Sequence, residues 1–158
     1  MKNRILFRFA FLIGFSIIHY SVFSQNSSEK VKNEITEALK IFNTSAQNSN
    51  TDQMMSLFDD SENIMFIGSD SAEIWKGRNQ IRGHLNTIFP KKSVNLEMKK
   101  IEIDANGNTA WAFVDGYINI SSEKGEKFRA PYRFTIIFVK KDKSWKIKLF
   151  DGSNPGGS

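Results

Sequence analysis

The sequence contains no cysteine, and that absence closes several routes at once. No disulfide staples the fold, no thiolate acts as a nucleophile, and neither a sulfur-ligated metal nor a lipidated cysteine is available. Histidine is nearly as scarce. His19 and His84 are the two in the chain, so a multi-histidine metal site is excluded as well. There is no glycine-rich phosphate loop, no nucleophile-elbow string, no internal repeat and no long low-complexity linker. Arginine is never densely clustered. The pairs Lys91-Lys92, Lys99-Lys100 and Lys140-Lys141 are scattered and read as solvated surface, not as a nucleic-acid footprint.

What is present begins at the N-terminus. Lys2, Arg4 and Arg8 supply positive charge with no acid nearby, and an apolar stretch from Phe9 to Ile18 follows. Val22-Phe23-Ser24 then offers modest side chains where a signal peptidase reads. The pattern predicts a cleavable signal peptide over residues 1–24, with cleavage before Gln25 and an exported product, periplasmic or extracellular. The rival reading is a membrane anchor. The apolar run falls short of the ~20 residues a span requires, and His19, Tyr20 and Ser21 interrupt it. Losing this segment takes the chain from 22 basic against 17 acidic residues, net +5, to 19 against 17, net +2. The basic character is therefore largely a property of the signal, and no stable membrane anchor is expected after processing. Residues 25–158 have the length of one domain.

Periodicity sets the element order. Val31, Ile35, Ala38, Leu39 and Phe42 form one apolar stripe, predicting a helix over Ser28–Asn48. A shorter helix, capped by Thr51 or Asp52, carries Met54, Met55, Leu57 and Phe58. Two short strands, Asn63–Ile67 and Ala72–Trp75, flank the turn Gly68–Ser71, and a third helix runs from Arg78 to Phe89 before Pro90. Val94, Leu96 and Met98 alternate, then Ile101 and Ile103 continue on the other parity, predicting a bulge at Lys99-Lys100. Strands Thr109–Ser121, Lys127–Val139 and Trp145–Phe150 complete a four-stranded meander. The order α-α-β-β-α-β-β-β-β argues α+β, with helices packed on one face of a curved, mainly antiparallel sheet.

Several strings in this order resemble the nuclear transport factor 2-like superfamily, most closely its SnoaL-like and ketosteroid-isomerase-like branch. They are Met55-Ser56-Leu57-Phe58-Asp59-Asp60, Phe66-Ile67-Gly68-Ser69-Asp70, Trp75-Lys76-Gly77-Arg78, Arg133-Phe134-Thr135 and Trp145-Lys146-Ile147. The resemblance implies a cone-shaped fold whose curved sheet wraps a long helix, with a pocket at the open end. It also implies a homodimer through the outer face of the sheet. It implies no activity, since the fold hosts isomerases, cyclases, dehydratases, binding proteins and adaptor modules. The isomerases it resembles carry a catalytic acid where this chain has Ile64, Met65, Phe66 and Ile67, and a second acid near Phe128–Phe134, where this chain has none. In related domains the last strand commonly ends in His-x-Ser, whereas here it reads Asp151-Gly152-Ser153.

Candidate site residues depend on strand register. Reading Ser122–Gly125 as a four-residue loop sets Asp115 beside Tyr132. Reading Lys141–Ser144 likewise sets Phe134 beside Asp151 and Tyr132 beside Ser153. One face of the sheet then carries Trp111, Phe113, Asp115, Tyr117, Tyr132, Phe134, Asp151 and Ser153, with neighbouring strands ~4.8 Å apart. Asp115 is the leading acid or base on this reading, with Tyr132, Asp151 and His84 as partners. The competing reading pairs Asp115 with Arg129 or Arg133, or puts it on an exposed or dimer face, and a slip of one residue turns the side chains to the other face. Met55, Phe58, Trp111, Phe113, Tyr117 and Phe134 are the candidate pocket lining. No metal or cofactor is expected. Three functions follow: a domain holding a small apolar or amphipathic molecule without a catalytic set, an isomerase, dehydratase or cyclase using Asp115, Asp151, Tyr132 and His84, or a protein-interaction module acting through the outer sheet face.

Overall fold

The computed structural model describes residues 28–156, so the expected signal peptide lies outside the described residues. Helix α1 is described over residues 28–47 and buries Ile35, Leu39, Phe42 and Ala46, the three- and four-residue spacing of one face. Ser49, in the left-handed region at φ 53, ends the turn that follows. Helix α2 (Thr51–Ser56) is capped by Asn50, whose side chain accepts from the Gln53 N–H at 2.9 Å. The cap therefore falls one residue before the expected Thr51.

Strands β1 (Met65–Ile67) and β2 (Ile74–Lys76) form a short hairpin, and helix α3 (Gly77–Ile88) follows. Arg78, in the first turn of α3, donates to the carbonyls of Met55, Phe58 and Asp59, each at 3.2 Å. A guanidinium placed there satisfies carbonyls that the end of α2 leaves open. Strands β3 (Lys92–Asn106), β4 (Thr109–Ser122), β5 (Lys127–Lys141) and β6 (Ser144–Ser153) make the meander. The six strands lie in the order β2-β1-β6-β5-β4-β3, with β1 parallel to β6 and the other pairs antiparallel.

The helices pack on the concave face of this sheet. Val114, Phe134, Ile136, Phe138, Ile147 and Phe150 meet Ile35, Leu39, Ile81 and Leu85 in one core. Each buried side chain of this size is worth about 1.5–3 kcal/mol relative to exposure. At the end formed by the β5–β6 hairpin, Asp59 is 2 % exposed. Lys141 Nζ approaches its Oδ1 at 2.5 Å, Lys148 Nζ its Oδ2 at 3.4 Å, and the Asp60 N–H donates to Oδ1 at 2.9 Å. Burial alone pushes this carboxyl's pKa up, but the hydrogen bonds from Lys141, Ser61 and the Asp60 backbone prevail and hold it well below the usual carboxylate range.

Three register features decide which side chains face inward. Lys99 is the extra residue of a bulge in β3, with Met98 opposite Gly116 and Lys100 opposite Asp115, where the parity change predicts it. The β4–β5 connection is one residue shorter than expected. Glu123–Gly125 is a three-residue loop between Ser122 and Glu126, closed by Gly125 N–H to Ser122 C=O at 2.9 Å, with Gly125 at φ 81. That loop length uses a left-handed final residue, which glycine supplies without strain. Ser121 therefore faces Lys127, and Asp115 faces Arg133, not Tyr132. In β6 the expected register holds at the start, with Lys140 facing Trp145. Lys141 pairs with Ser144 across a two-residue turn in place of the four-residue loop, and a bulge at Lys148 then puts Ile137 opposite Leu149 after Phe138 opposite Ile147. Phe134 consequently faces Gly152, and Asp151 faces Thr135. Each one-residue offset moves side chains to the opposite face of the sheet.

Candidate functional site

Away from the β5–β6 hairpin, the concave face parts from α3 and leaves a cavity of about 210 Å³. Its inner wall is an aromatic ladder. Phe150 stacks on Phe66 at 4.5 Å and on Phe42 at 5.2 Å between ring centroids. Leu85 and Ile88 of α3 and Val94, Ile118 and Ile120 of β3 and β4 complete the apolar lining. Offset aromatic stacking at these separations stiffens the wall beyond simple burial.

Two polar groups open onto this apolar space. Tyr132 projects from β5 at the position facing Gly116. Its ring crosses β6 at Gly152, where any Cβ would collide with the phenol oxygen. His84 comes from α3, its imidazole lying against the Trp75 indole at 3.3 Å between centroids and 5.7 Å from Phe66. Every fully buried side-chain polar atom among the described residues has a hydrogen-bond partner. Among the described residues the Tyr132 hydroxyl and the His84 ring nitrogens have no hydrogen-bond partner, so they are not among the fully buried atoms, and both residues line the cavity.

Burial sets the protonation of both. It pushes the Tyr132 phenol up to about 12, with the charges of Glu73 and Asp151 acting in the same direction. The hydroxyl thus stays a donor. Burial lowers the pKa of His84, partly opposed by Glu73, so the neutral imidazole is favoured and offers one donor and one acceptor. The third group of the mouth is Glu73, in the turn between β1 and β2. Its carboxylate folds over Gly68 and accepts from the Asp70 N–H at 3.1 Å. Its charge is felt at both Tyr132 and His84. Lys92, at the start of β3, lies on the opposite rim. A donor phenol and a neutral imidazole on aromatic walls suit the capture of one oxygen function on an otherwise apolar molecule.

The sequence-predicted residues divide. His84 and Tyr132 come together at the cavity. Asp115 does not. It lies on the outer face, where Arg133 Nε donates to it at 2.7 Å, the pairing that the competing register describes. Asp151 lies on the outer face opposite Thr135 and is exposed. Trp111, 40 % exposed, shares the outer face with Phe113 and Tyr117, and Arg129 covers the Tyr117 ring at 3.5 Å. Met55, Phe58 and Phe134 are core residues behind the cavity, not its lining. The loop of three residues in place of four accounts for the outward turn of the β4 set. The reading of the sequence missed Glu73, whose signal is Gly68 five residues earlier, a position that only a residue without Cβ can fill beneath a carboxylate.

A family model described as the SnoaL-like domain matches residues 35–155. No curated protein gives a significant sequence match. Among solved structures, a nuclear transport factor 2-like superfamily protein from Salmonella enterica superposes with a TM-score of 0.72 at 23% identity, covering 82% of this chain and 94% of its own. A protein of the same family from Streptomyces avermitilis, provisionally assigned as a dehydratase, gives 0.73 at 12% identity, with 82% and 99% covered. A ketosteroid isomerase-like protein from Erwinia carotovora gives 0.65 at 12% identity, with 79% and 96% covered. At these identities the likeness is one of fold, and the cone-shaped α+β architecture is common to all three.

Proposed function

Because this chain belongs to the SnoaL-like domain family, we propose that it binds a small, mainly apolar molecule carrying an oxygen function, as an exported binding protein. The supporting observation is the pair of unpartnered polar groups, Tyr132 and His84, on the walls of the cavity. Both residues are only partly buried, so before a ligand binds their polar atoms are open to water, and a ligand oxygen takes the place of that water. The size suits a substituted ring or a short chain, being larger than the ~150 Å³ that accommodates benzene.

The test is a titration of residues 25–158 with 4-ethylphenol, 2-octanone and 1-octanol, read by calorimetry and by the fluorescence of Trp75 against the cavity wall. Binding of at least one probe, weakened about tenfold by Tyr132→Phe, is the expected result. No binding by any probe at millimolar concentration, or binding indifferent to Tyr132→Phe, overturns the proposal.

A second reading is an isomerase or dehydratase working through Tyr132 as acid and His84 as base. The donor state of Tyr132 and the neutral state of His84 favour it. Asp115 and Asp151, on the outer face, have no part in it. Conversion of a bound ketone, followed by exchange of its α-protons with solvent deuterium and abolished by His84→Gln, separates it from simple binding. We also propose a homodimer through the outer sheet face, where Trp111, Phe113 and Tyr117 lie. Sedimentation of the mature chain tests it.

A further inference from the structure

The mouth of the cavity does not end at its rim. A second hollow of about 350 Å³ lies against the tip of the β4–β5 hairpin, lined by Lys92, Ile120, Ser122, Glu126, Lys127 and Phe128. Lys92 and Ile120 line both spaces, so the apolar cavity runs out onto this ledge. Phe128 pairs with Ile120 across the strands, on the concave face. It is 56 % exposed, while Phe134 and Phe138 further along the same face are buried. With Ile120 beside it, the Phe128 ring gives the ledge an apolar floor continuous in kind with the cavity wall.

The ledge also carries uncompensated positive charge. Among the described residues Lys91, Lys92, Lys124 and Lys127 enter no ion pair, whereas Lys99, Lys100, Arg129 and Arg133 on the neighbouring strands all do. Glu123 and Glu126 share the tip, and the Glu126 carboxylate accepts from the Ser122 hydroxyl at 3.4 Å, leaving a local excess of two cations. The Glu123 N–H donates to the Lys91 carbonyl at 3.2 Å, tying the tip to the lysine-bearing turn after α3. Glu73 stands on the other lip, since β1–β2 and β3 are opposite edges of the sheet. The mouth is thus negative on one side and positive on the other.

We propose that the ligand is an anionic amphiphile, a carboxylate on an apolar chain or ring, with its body in the cavity and its carboxylate on the ledge between Lys92 and Lys127. This inference rests on the cavity reading above and deepens it by naming the chemical class. The polarity of the mouth sets the direction, because an anion leaving the cavity is turned away from Glu73 and toward the lysines. Phe128 covers the chain where it crosses the rim.

The experiment compares hexanoate, octanoate and decanoate with 1-alkanols of the same lengths, all below their micelle concentrations, on the mature chain. The carboxylate of the best-fitting length binds about tenfold tighter than its alkanol at low salt, and the preference shrinks at about 0.5 M NaCl. Lys92→Met with Lys127→Met removes the preference by weakening the carboxylates about tenfold, to the level of the alkanols, since methionine keeps the apolar stem and loses the charge. Alkanols that bind as tightly as carboxylates, or a preference that survives the double variant, overturn the anion inference and leave the cavity reading standing. If neither series binds, both fall. Sedimentation with phosphatidylglycerol vesicles, without displacement by octanoate, also overturns it by assigning the ledge to a membrane surface.

Discussion

Two regions along strand β5 hold polar groups in opposite circumstances. At the β5–β6 hairpin, Asp59 is buried and saturated, meeting Lys141, Lys148 and the Asp60 N–H. Further along the strand, the Tyr132 hydroxyl opens onto the cavity with no hydrogen-bond partner among the described residues, and the His84 imidazole on α3 is in the same condition. Both clusters have perturbed protonation, and perturbation alone does not separate a structural group from a functional one. The count of partners does. A carboxyl pulled down by fixed hydrogen bonds is part of the scaffold, whereas a phenol pushed up by burial with no partner has capacity to spare.

That contrast predicts a graded set of effects. The largest is at the saturated end. Asp59→Ala strips Lys141 and Lys148 of their shared anion and lowers unfolding stability by roughly 2–4 kcal/mol in chemical denaturation. The sign with pH follows from its depressed carboxyl. The contribution of Asp59 is fully present above its ordinary value of 3.8 and is lost progressively as pH falls below it, so the gap between wild type and variant narrows in acid.

Tyr132→Phe comes next, with the opposite outcome. Removing an unpartnered hydroxyl changes stability by less than about 0.5 kcal/mol near neutral pH while weakening the probes. Because the folded phenol titrates at about 12 against 10.0 ordinarily, the unfolded chain loses its proton first. The wild type therefore loses stability relative to Tyr132→Phe as pH rises from 10.0 toward 12. A large stability loss for Tyr132→Phe at neutral pH would erase the contrast between the two regions.

A smaller effect concerns His84. Burial lowers its pKa, so the unfolded chain takes up a proton that the folded chain refuses as pH falls through 6.5. Stability drops across that window and levels off below the folded value, and His84→Gln flattens this limb in denaturation curves collected as a function of pH. The smallest effect is on the outer face. Asp115→Asn breaks a half-exposed pair with Arg133 and shifts stability by less than about 0.5 kcal/mol, with probe binding unchanged.

The sequence carries the elements of this fold and the outline of its site, and particular residues show where its legibility ends. The apolar stripe of α1, the Pro90 stop and the bulge at Lys99 are written in period, a signal spread over many residues and robust to any single one. Face assignment in β4 and β6 depends on counting one residue in a loop and one in a bulge. Ser122–Gly125 spells a turn equally well with three residues or four, and nothing in the alternation of β6 marks Lys148 as the extra residue. Tyr132 and His84 reach the cavity because the concave face of β5 and the inner edge of α3 follow from local pattern. Asp115 and Asp151 do not, because their placement beside those groups requires the register between strands. Glu73 owes its position to a close approach over Gly68 within one turn, and that glycine is the single trace it leaves in the sequence.

The β4–β5 hairpin gives the molecule a way to be retuned. Its tip supplies Lys127 and Phe128 to the ledge, while the inward side chains of its root, Ala110, Ala112, Val114, Phe134, Ile136 and Phe138, belong to the core. Lengthening or shortening it by a pair of residues preserves parity, keeps the root packed and moves the charged tip along the path of whatever leaves the cavity. On the proposed binding the hairpin acts as a ruler, and variants of this chain that differ in its length are expected to differ in the length of the carboxylate they prefer.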